Sequence, residues 1–188
     1  MREKIISAQL SHEAEALVDK YRERICILLA GGRSVWQDFK DFACGWHSDF
    51  DIMCVNDVGM FWPNHLEHWF SLHGDQFSGW CAVREFHYKP AKYLHACAPN
   101  NRAVVWPVPQ GGTSTMSAVY TALVMGYKQV VLCGAPFSDD GHFFDPLDRT
   151  SNFKHEALPE RWIRARDTIF EGKVKSMSGL SREILGAP

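Results

Sequence analysis

Two glycines and two hydroxyl residues stand together at Gly111, Gly112, Thr113 and Ser114. Apolar residues at spacings of three and four follow them, which predicts a helix that ends at Gly126. Glycines let a ligand approach the backbone closely, and the first N–H groups of a helix have no partners inside it. The pattern indicates binding of phosphate or carboxylate, although a glycine turn with a Ser or Thr cap gives the same residues without a ligand. It lacks the Lys of a P-loop and the spacing of a G-x-G-x-x-G turn.

A second glycine turn follows an apolar run from Ile25 to Ala30 that is typical of a strand buried on both faces. Gly31 and Gly32 end this strand, and a short helix is predicted directly after Arg33 and Ser34. A strand, a glycine turn and a helix in this order form a second candidate site for an anion. Arg33 could contribute a bidentate contact to phosphate.

Polar side chains also follow two other predicted strands. Asn56 and Asp57 close the strand from Phe50 to Val55, and His73 follows a short strand around 68–72. Because parallel strands end at one edge of their sheet, we expect these side chains to share a rim with both glycine turns. The sequence therefore predicts one cleft with phosphate-binding and titratable groups.

A long polar loop at 137–158 carries the candidates for acid–base chemistry. We predict His142 as a general base and His155 as a second candidate, because an imidazole titrates near neutral pH without large tuning. Carboxylates near His142 favour its charged form; they are Asp139, Asp140 and Asp145. Of these we assign Asp139 to the catalytic group, and a solvated loop histidine is the alternative for His142.

The same loop suggests a metal-dependent alternative. Four carboxylates could hold Mg²⁺ beside a nucleotide, or they could form an acidic, solvated loop; they are Asp139, Asp140, Asp145 and Asp148. The chain has no H-E-x-x-H and no paired-cysteine signature of zinc, so we predict no resident metal.

Strand and helix signals alternate along the chain about six times. They predict an α/β fold, a single Rossmann-like domain over 1–188 with a mostly parallel sheet of about six strands and helices on both faces. The segment 1–24 is polar and helix-prone. Four residues in apolar runs should lie buried on central strands; they are Ile27, Cys54, Val131 and Cys133.

Composition narrows the classes of partner. The 188 residues carry a formal charge of −2 with basic and acidic residues mixed, which argues against a nucleic-acid binder. No apolar run approaches the length of a membrane span, and the N-terminus lacks the apolar core of a signal peptide, so we expect a cytoplasmic protein without a membrane partner. A homo-oligomer is compatible with this sequence.

Three segments together resemble a group of Rossmann-like transferases. The stretch 28–35, LLAGGRSV, resembles their G-x-G-P-S-L turn, and 51–56, DIMCVN, resembles the strand that ends in Asn. The block 112–134 is similar to their T/S-x-G…L-G-Y-K-E-I-Y-L-x-G block. The group includes Campylobacter-type sialyltransferases and 6-hydroxymethylpterin diphosphokinase-like proteins. Uncharacterised phage and prophage members look most alike, with elements similar to 141–143 and 176–179.

The resemblance implies a nucleotide or nucleotide-sugar ligand and a histidine base in the loop that holds His142. It assigns the nucleotide to Gly31, Gly32, Ser34 and Asn56, and it implies that the phosphate or sugar carboxylate lies near Thr113 and Ser114. Three hypotheses follow. The first is a glycosyltransferase-like enzyme with a nucleotide-sugar donor. The second is an ATP- and Mg²⁺-dependent diphosphokinase-like enzyme, and the third is a phage accessory protein that keeps the fold without the chemistry.

Overall fold

The computed structural model describes residues 10–45, 49–109, 113–150 and 158–188. In these ranges the chain forms one parallel sheet of seven strands in the order β5-β4-β3-β2-β1-β6-β7. The strands are β1 (Ile25–Leu29), β2 (Phe50–Val55), β3 (His68–Phe70), β4 (Tyr93–Ala96), β5 (Val104–Val105), β6 (Gln129–Cys133) and β7 (Val174–Ser176). The α/β prediction is confirmed, with one strand more than about six.

Helices connect the strands and cover both faces of the sheet. They are α1 (His12–Glu15), α2 (Val35–Gly45), α3 (Val58–Phe61), α4 (Phe77–His87), α5 (Ser114–Val124), α6 (Leu158–Ala165) and α7 (Gly179–Leu185). A 3₁₀ turn at Gly74–Gln76 precedes α4, and a π turn at Arg166–Phe170 follows α6. One apolar core contains residues of α5 and α6, and the other contains residues of α2, α3 and α4.

Successive residues of β1 point into opposite cores, which explains its unbroken apolar sequence. Cys26 and Leu28 belong to the core under α5, whereas Ile27 and Leu29 belong to the core under α2. All five residues of this strand are buried. The predicted burial on central strands is confirmed, because Ile27, Cys54, Val131 and Cys133 are each 0% exposed.

Two elements differ from the sequence interpretation. The segment between α4 and β5 contains β4, in which His95 is fully buried between β3 and β5. A buried histidine gives no apolar signal in the sequence, so the predicted sheet lacks this strand. The helix-prone segment 1–24 holds only the short helix α1 in its described part: the Ser11 side chain caps it, and turns follow it as far as Glu23. At the other end of the chain, α7 buries Ser181 and Leu185.

A directional chain of hydrogen bonds runs through the core beside β3 and β4. The Trp106 indole donates from Nε1 to His95 Nδ1 at 3.0 Å. Because an indole N–H can only donate, this bond places the His95 proton on Nε2. His95 Nε2 therefore donates to His68 Nδ1 at 2.9 Å, and His68 Nε2 donates to the Tyr127 hydroxyl at 2.9 Å. Both imidazoles are neutral in this arrangement.

The chain ends on an ion pair at the edge of the core. The Tyr127 hydroxyl donates to Asp51 Oδ2 at 2.9 Å, and Arg24 donates to both Asp51 oxygens at 2.6 and 2.7 Å. Burial lowers the pKa of His95 to about 3, and burial together with the neighbouring His95 lowers the pKa of His68 well below its usual range. Each buried polar atom of the two rings thus has a partner, which offsets the cost of its desolvation.

Candidate functional site

The order in which strands are added to the sheet reverses between β1 and β6. From β1 the chain adds β2 to β5 on one side, whereas β6 and β7 lie on the other. Leu29 of β1 lies in register with Cys133 of β6, so the two strands end at the same level. Such a switch point is where open parallel sheets bind ligands, just beyond the carboxyl ends of the strands.

A cavity of about 390 Å³ opens at this switch point. Its walls come from the ends of β1, β2, β3 and β6 and from the first turn of α5. Eight residues predicted from the sequence line it: Gly31, Gly32, Asn56, Asp57, His73, Thr113, Ser114 and His142. The structure therefore brings both candidate anion sites and the candidate base to one place, and their contacts with a ligand remain predictions.

The glycine turn after β1 is packed tightly against the protein itself. The Gly32 N–H donates to the carbonyl oxygen of Gly134 at 2.8 Å, and a Cβ on Gly32 would lie 2.6 Å from that oxygen. A Cβ on Gly31 would lie 2.8 Å from Cδ2 of the His142 ring. A side chain at Gly32 would thus clash with the backbone after β6, whereas one at Gly31 would require the exposed His142 ring to move.

A buried carboxylate that sequence reasoning missed supports this turn. Asp38 Oδ2 accepts from the Ser34 hydroxyl at 2.9 Å, from the Ser178 hydroxyl at 2.7 Å and from the Gly134 N–H at 2.9 Å. Asp38 is 5% exposed and joins the ends of β1, β6 and β7. Ser34 faces this network and is not among the residues that line the cavity. Only the spacing of Ser34 and Asp38 on one helical turn signals the contact in the sequence.

Arg33 also lies beside the cavity and not in its lining. Its guanidinium group donates to backbone carbonyl oxygens in the loop that carries His142, those of Asp140, Asp145, Pro146 and Arg149. The predicted phosphate contact would need this guanidinium to leave the loop.

The end of β2 contributes a strained backbone and a carboxylate. Asn56 has a left-handed φ of 54°, its N–H donates to the Phe70 carbonyl at 2.9 Å, and its Oδ1 accepts from the Ser71 hydroxyl at 2.9 Å. These bonds fix the turn that presents Asp57 to the cavity. Burial raises the pKa of the Asp57 carboxyl, and the nearby His142 opposes this rise.

His142 is held at the cavity by its backbone, while its ring remains 55% exposed. It forms an isolated antiparallel bridge with Gly32, and the next N–H, of Phe143, donates to the Gly31 carbonyl at 3.0 Å. Asp145 Oδ2 accepts from the His142 N–H at 2.9 Å and lies 3.4 Å from the ring Nδ1. That backbone hydrogen bond is the main reason why the pKa of Asp145 is lowered.

The ring geometry suggests a role for each nitrogen. Nδ1 of His142 faces the Asp145 carboxylate, whereas Nε2 would lie 3.7 Å from a Cβ on Gly31 at the cavity wall. A carboxylate at Nδ1 favours the tautomer with its proton there, which leaves Nε2 as an acceptor. The ring also stacks on Phe144 with 8° between the planes.

The first turn of α5 forms the opposite wall. The Thr113 hydroxyl accepts from the Met116 N–H at 3.2 Å, so Thr113 is the N-cap and Ser114 is the first helical residue. Ser114 is 8% exposed and lines the cavity beside Thr115. Backbone N–H groups without partners inside the helix are therefore close to the cavity. Gly111 and Gly112 lie outside the described residues.

The remaining candidates have different surroundings. His73 is exposed at the cavity rim, and its N–H donates to the Ser71 hydroxyl at 2.8 Å. Asp139 is exposed in the His142 loop and does not line the cavity, and Asp140 accepts from the Ser138 hydroxyl at 2.7 Å. His155 lies outside the described residues.

The described ranges also bear on metal and membrane partners. No group of three or more His, Cys, Asp or Glu side chains in these ranges converges as a metal site. The helices in the same parts of the chain are all too short or too polar to cross a membrane.

A solved structure of another protein shows a similar fold. No protein-family model matches the chain, and no curated protein matches it. Among solved structures, the chain is similar to the sialyltransferase CstII from Campylobacter jejuni in complex with a substrate analogue, cytidine-5′-monophosphate. The TM-score is 0.55 with 12% identity, over 87% of this chain and 84% of that chain. At this identity the similarity establishes a sialyltransferase-like α/β fold.

Proposed function

We propose that the chain is a nucleotide-binding transferase, and specifically a glycosyltransferase-like enzyme that uses a nucleotide-sugar donor. The observation that carries the proposal is the convergence of the His142 ring, the Gly31 turn and the first turn of α5 on one cavity at the switch point. The fold of a sialyltransferase that binds cytidine-5′-monophosphate supports it.

Each wall of the cavity has a chemical task in this proposal. The first turn of α5 binds the donor phosphate, because its N–H groups and the helix dipole favour an anion. The polar end of β2, at Asn56 and Asp57, accepts hydrogen bonds from hydroxyl or amine groups of the donor. Asp57 fits hydroxyl groups better than phosphate, because a carboxylate repels an anion.

His142 is the general base of the transfer. The acceptor hydroxyl gives its proton to His142 Nε2 as its oxygen forms the new bond to the anomeric carbon. The bond from that carbon to the nucleotide phosphate breaks at the same centre, and the electron pair leaves with the phosphate. Asp145 at Nδ1 fixes the tautomer of the neutral ring in which Nε2 is the basic nitrogen, and it stabilises the imidazolium that forms in the reaction.

A panel of nucleotide-sugars and ATP tests the proposal. Donor consumption is measured with and without Mg²⁺ for the wild type, His142→Gln and the control His87→Gln, which replaces an exposed histidine outside the cavity. We expect turnover with at least one donor, a loss of about a hundredfold or more in His142→Gln, and no change in the control. An equal rate in wild type and His142→Gln contradicts the role of the base, and turnover of ATP only with Mg²⁺ contradicts the glycosyltransferase assignment.

A further inference from the structure

The side chain of Arg33 occupies the junction between the glycine turn of β1 and the loop that holds His142. An arginine has five N–H donors. Here Nε donates to the Asp140 carbonyl, one terminal nitrogen donates to the Asp145 carbonyl at 3.3 Å, and the other donates to the carbonyls of Pro146 and Arg149. Backbone oxygens therefore accept from most of the N–H groups of the Arg33 guanidinium. Hydrogen bonds from a charged donor are stronger than those between neutral groups.

The loop segment 140–149 is folded tightly around this guanidinium. Gly141 has a φ of +79°, and a Cβ there would lie 3.0 Å from the Arg149 carbonyl oxygen and 3.5 Å from the Arg33 guanidinium. The Asp145 N–H donates back to the His142 carbonyl at 3.1 Å, which closes a turn inside the segment. The carbonyls that bind Arg33 are thus brought together by the local fold.

Aromatic contacts also fix the 140–149 segment to α2 and α3. The Phe143 ring packs edge-on against Trp36 of α2 at 5.4 Å and against Phe61 of α3 at 5.3 Å between ring centroids. The Phe143 N–H also donates to the Gly31 carbonyl. His142 lies between these anchors and has an exposed ring, so its position depends on the loop that carries it.

We propose that Arg33 is a positioning residue that holds the 140–149 loop so that His142 faces the cavity, and that it does not contact the donor phosphate. We call the hydrogen bonds from Arg33 to the 140–149 loop the clamp. Its consequence for catalysis rests on the proposed function, but the clamp itself does not. Holding a catalytic group in place contributes strongly to rate, and a misplacement of about 1 Å can cost about a hundredfold.

Two substitutions separate the clamp from a phosphate contact. Arg33→Lys keeps the charge but presents its donors from a single atom, which cannot reach four carbonyls at once. Arg33→Met removes both charge and donors. Arg22→Met is the matched control, because Arg22 has a side chain 70% exposed and does not line the cavity.

Hydrogen exchange gives a readout that does not require activity. In the wild type the amides of His142, Phe143, Asp145 and Arg149 are hydrogen-bonded within the protein. We expect these amides to exchange about tenfold faster or more in both Arg33 variants, and the His142 ring resonances to shift, with no change in Arg22→Met. The free energy of global unfolding, measured for the same variants, shows whether faster exchange comes from the loop or from a general loss of structure.

Binding of CMP, measured by calorimetry, completes the test. We expect the Kd of CMP to stay within about twofold of wild type in Arg33→Lys, while donor turnover falls about a hundredfold. Unchanged exchange of the loop amides overturns the clamp, and so does weaker CMP binding in Arg33→Lys with an intact loop. If the wild type binds no CMP, the donor proposal is weakened while hydrogen exchange still decides the clamp.

Discussion

The buried histidine pair predicts that the protein loses stability in mild acid. His68 and His95 are neutral and 0% exposed in the folded chain, and the bond from Trp106 leaves no room for a proton on His95 Nδ1. In the unfolded chain each imidazole is exposed and has an ordinary pKa of about 6.5. Below that pH the unfolded chain binds protons that the folded chain does not, so acid favours unfolding.

The size of the effect follows from the pKa difference. The folded pKa of His95 is about 3, and that of His68 is also well below its usual range. The stabilising contribution of neutral His95 is therefore fully present above about pH 6.5 and falls by about 1.4 kcal/mol per pH unit as the pH drops. Between pH 7 and pH 5 we expect a loss of about 2 kcal/mol from His95, and a further loss in the same direction from His68, whose pKa is also lowered by burial.

Urea unfolding at several pH values measures this loss. Tyr127, which accepts a hydrogen bond from His68, does not titrate in this window because burial raises its pKa. The control His87→Gln removes an exposed imidazole and should leave the slope unchanged. A free energy of unfolding that is flat between pH 7 and pH 5 refutes the reasoning, as does NMR titration of either buried ring near pH 6.5.

Three substitutions near the cavity give further expectations. Thr113→Ala should cost about 1 kcal/mol in urea unfolding, because Met116 loses its cap; no measurable cost would contradict the cap. Asp38→Ala should cost about 2–3 kcal/mol, since it leaves the buried Gly134 N–H without its acceptor and the Ser34 and Ser178 hydroxyls with only each other; a cost below about 1 kcal/mol would contradict that network. Gly31→Ala should displace the exposed His142 ring with little loss of stability; unchanged ring resonances would contradict the close approach.

The sheet could be predicted because its central strands are apolar on both faces. Ile25 to Leu29 and Gln129 to Cys133 give that signal directly, and their parallel pairing brings the residues after them to one rim. The strand β4 could not be predicted, because His95 is stable in the core only through Trp106 and His68. Hydrogen bonds between distant segments leave no periodicity in a sequence.

The same distinction applies to the site. Strand-end residues such as Gly31 and Asn56 reach the cavity because the topology of the sheet places them there. The roles of side chains in the glycine turn depend on long-range partners. Ser34 and Ser178 both donate to Asp38, and Arg33 donates to backbone carbonyls more than 100 positions away. The sequence predicts a phosphate contact for Arg33, but it gives no sign of the loop carbonyls to which this side chain donates.

Nucleotide binding at the switch point is tested most directly by titrating CMP, UMP, CDP and UDP while the backbone amide resonances are followed by NMR. We expect at least one nucleotide to bind at millimolar concentration or below, and to shift the amides of Gly31, Gly32, Ser114 and Gly134, which line the cavity. The amides around Gly172, at the opposite end of the sheet, should not move. Absence of any shift with all four nucleotides, or shifts confined to surfaces away from the cavity, would contradict the account.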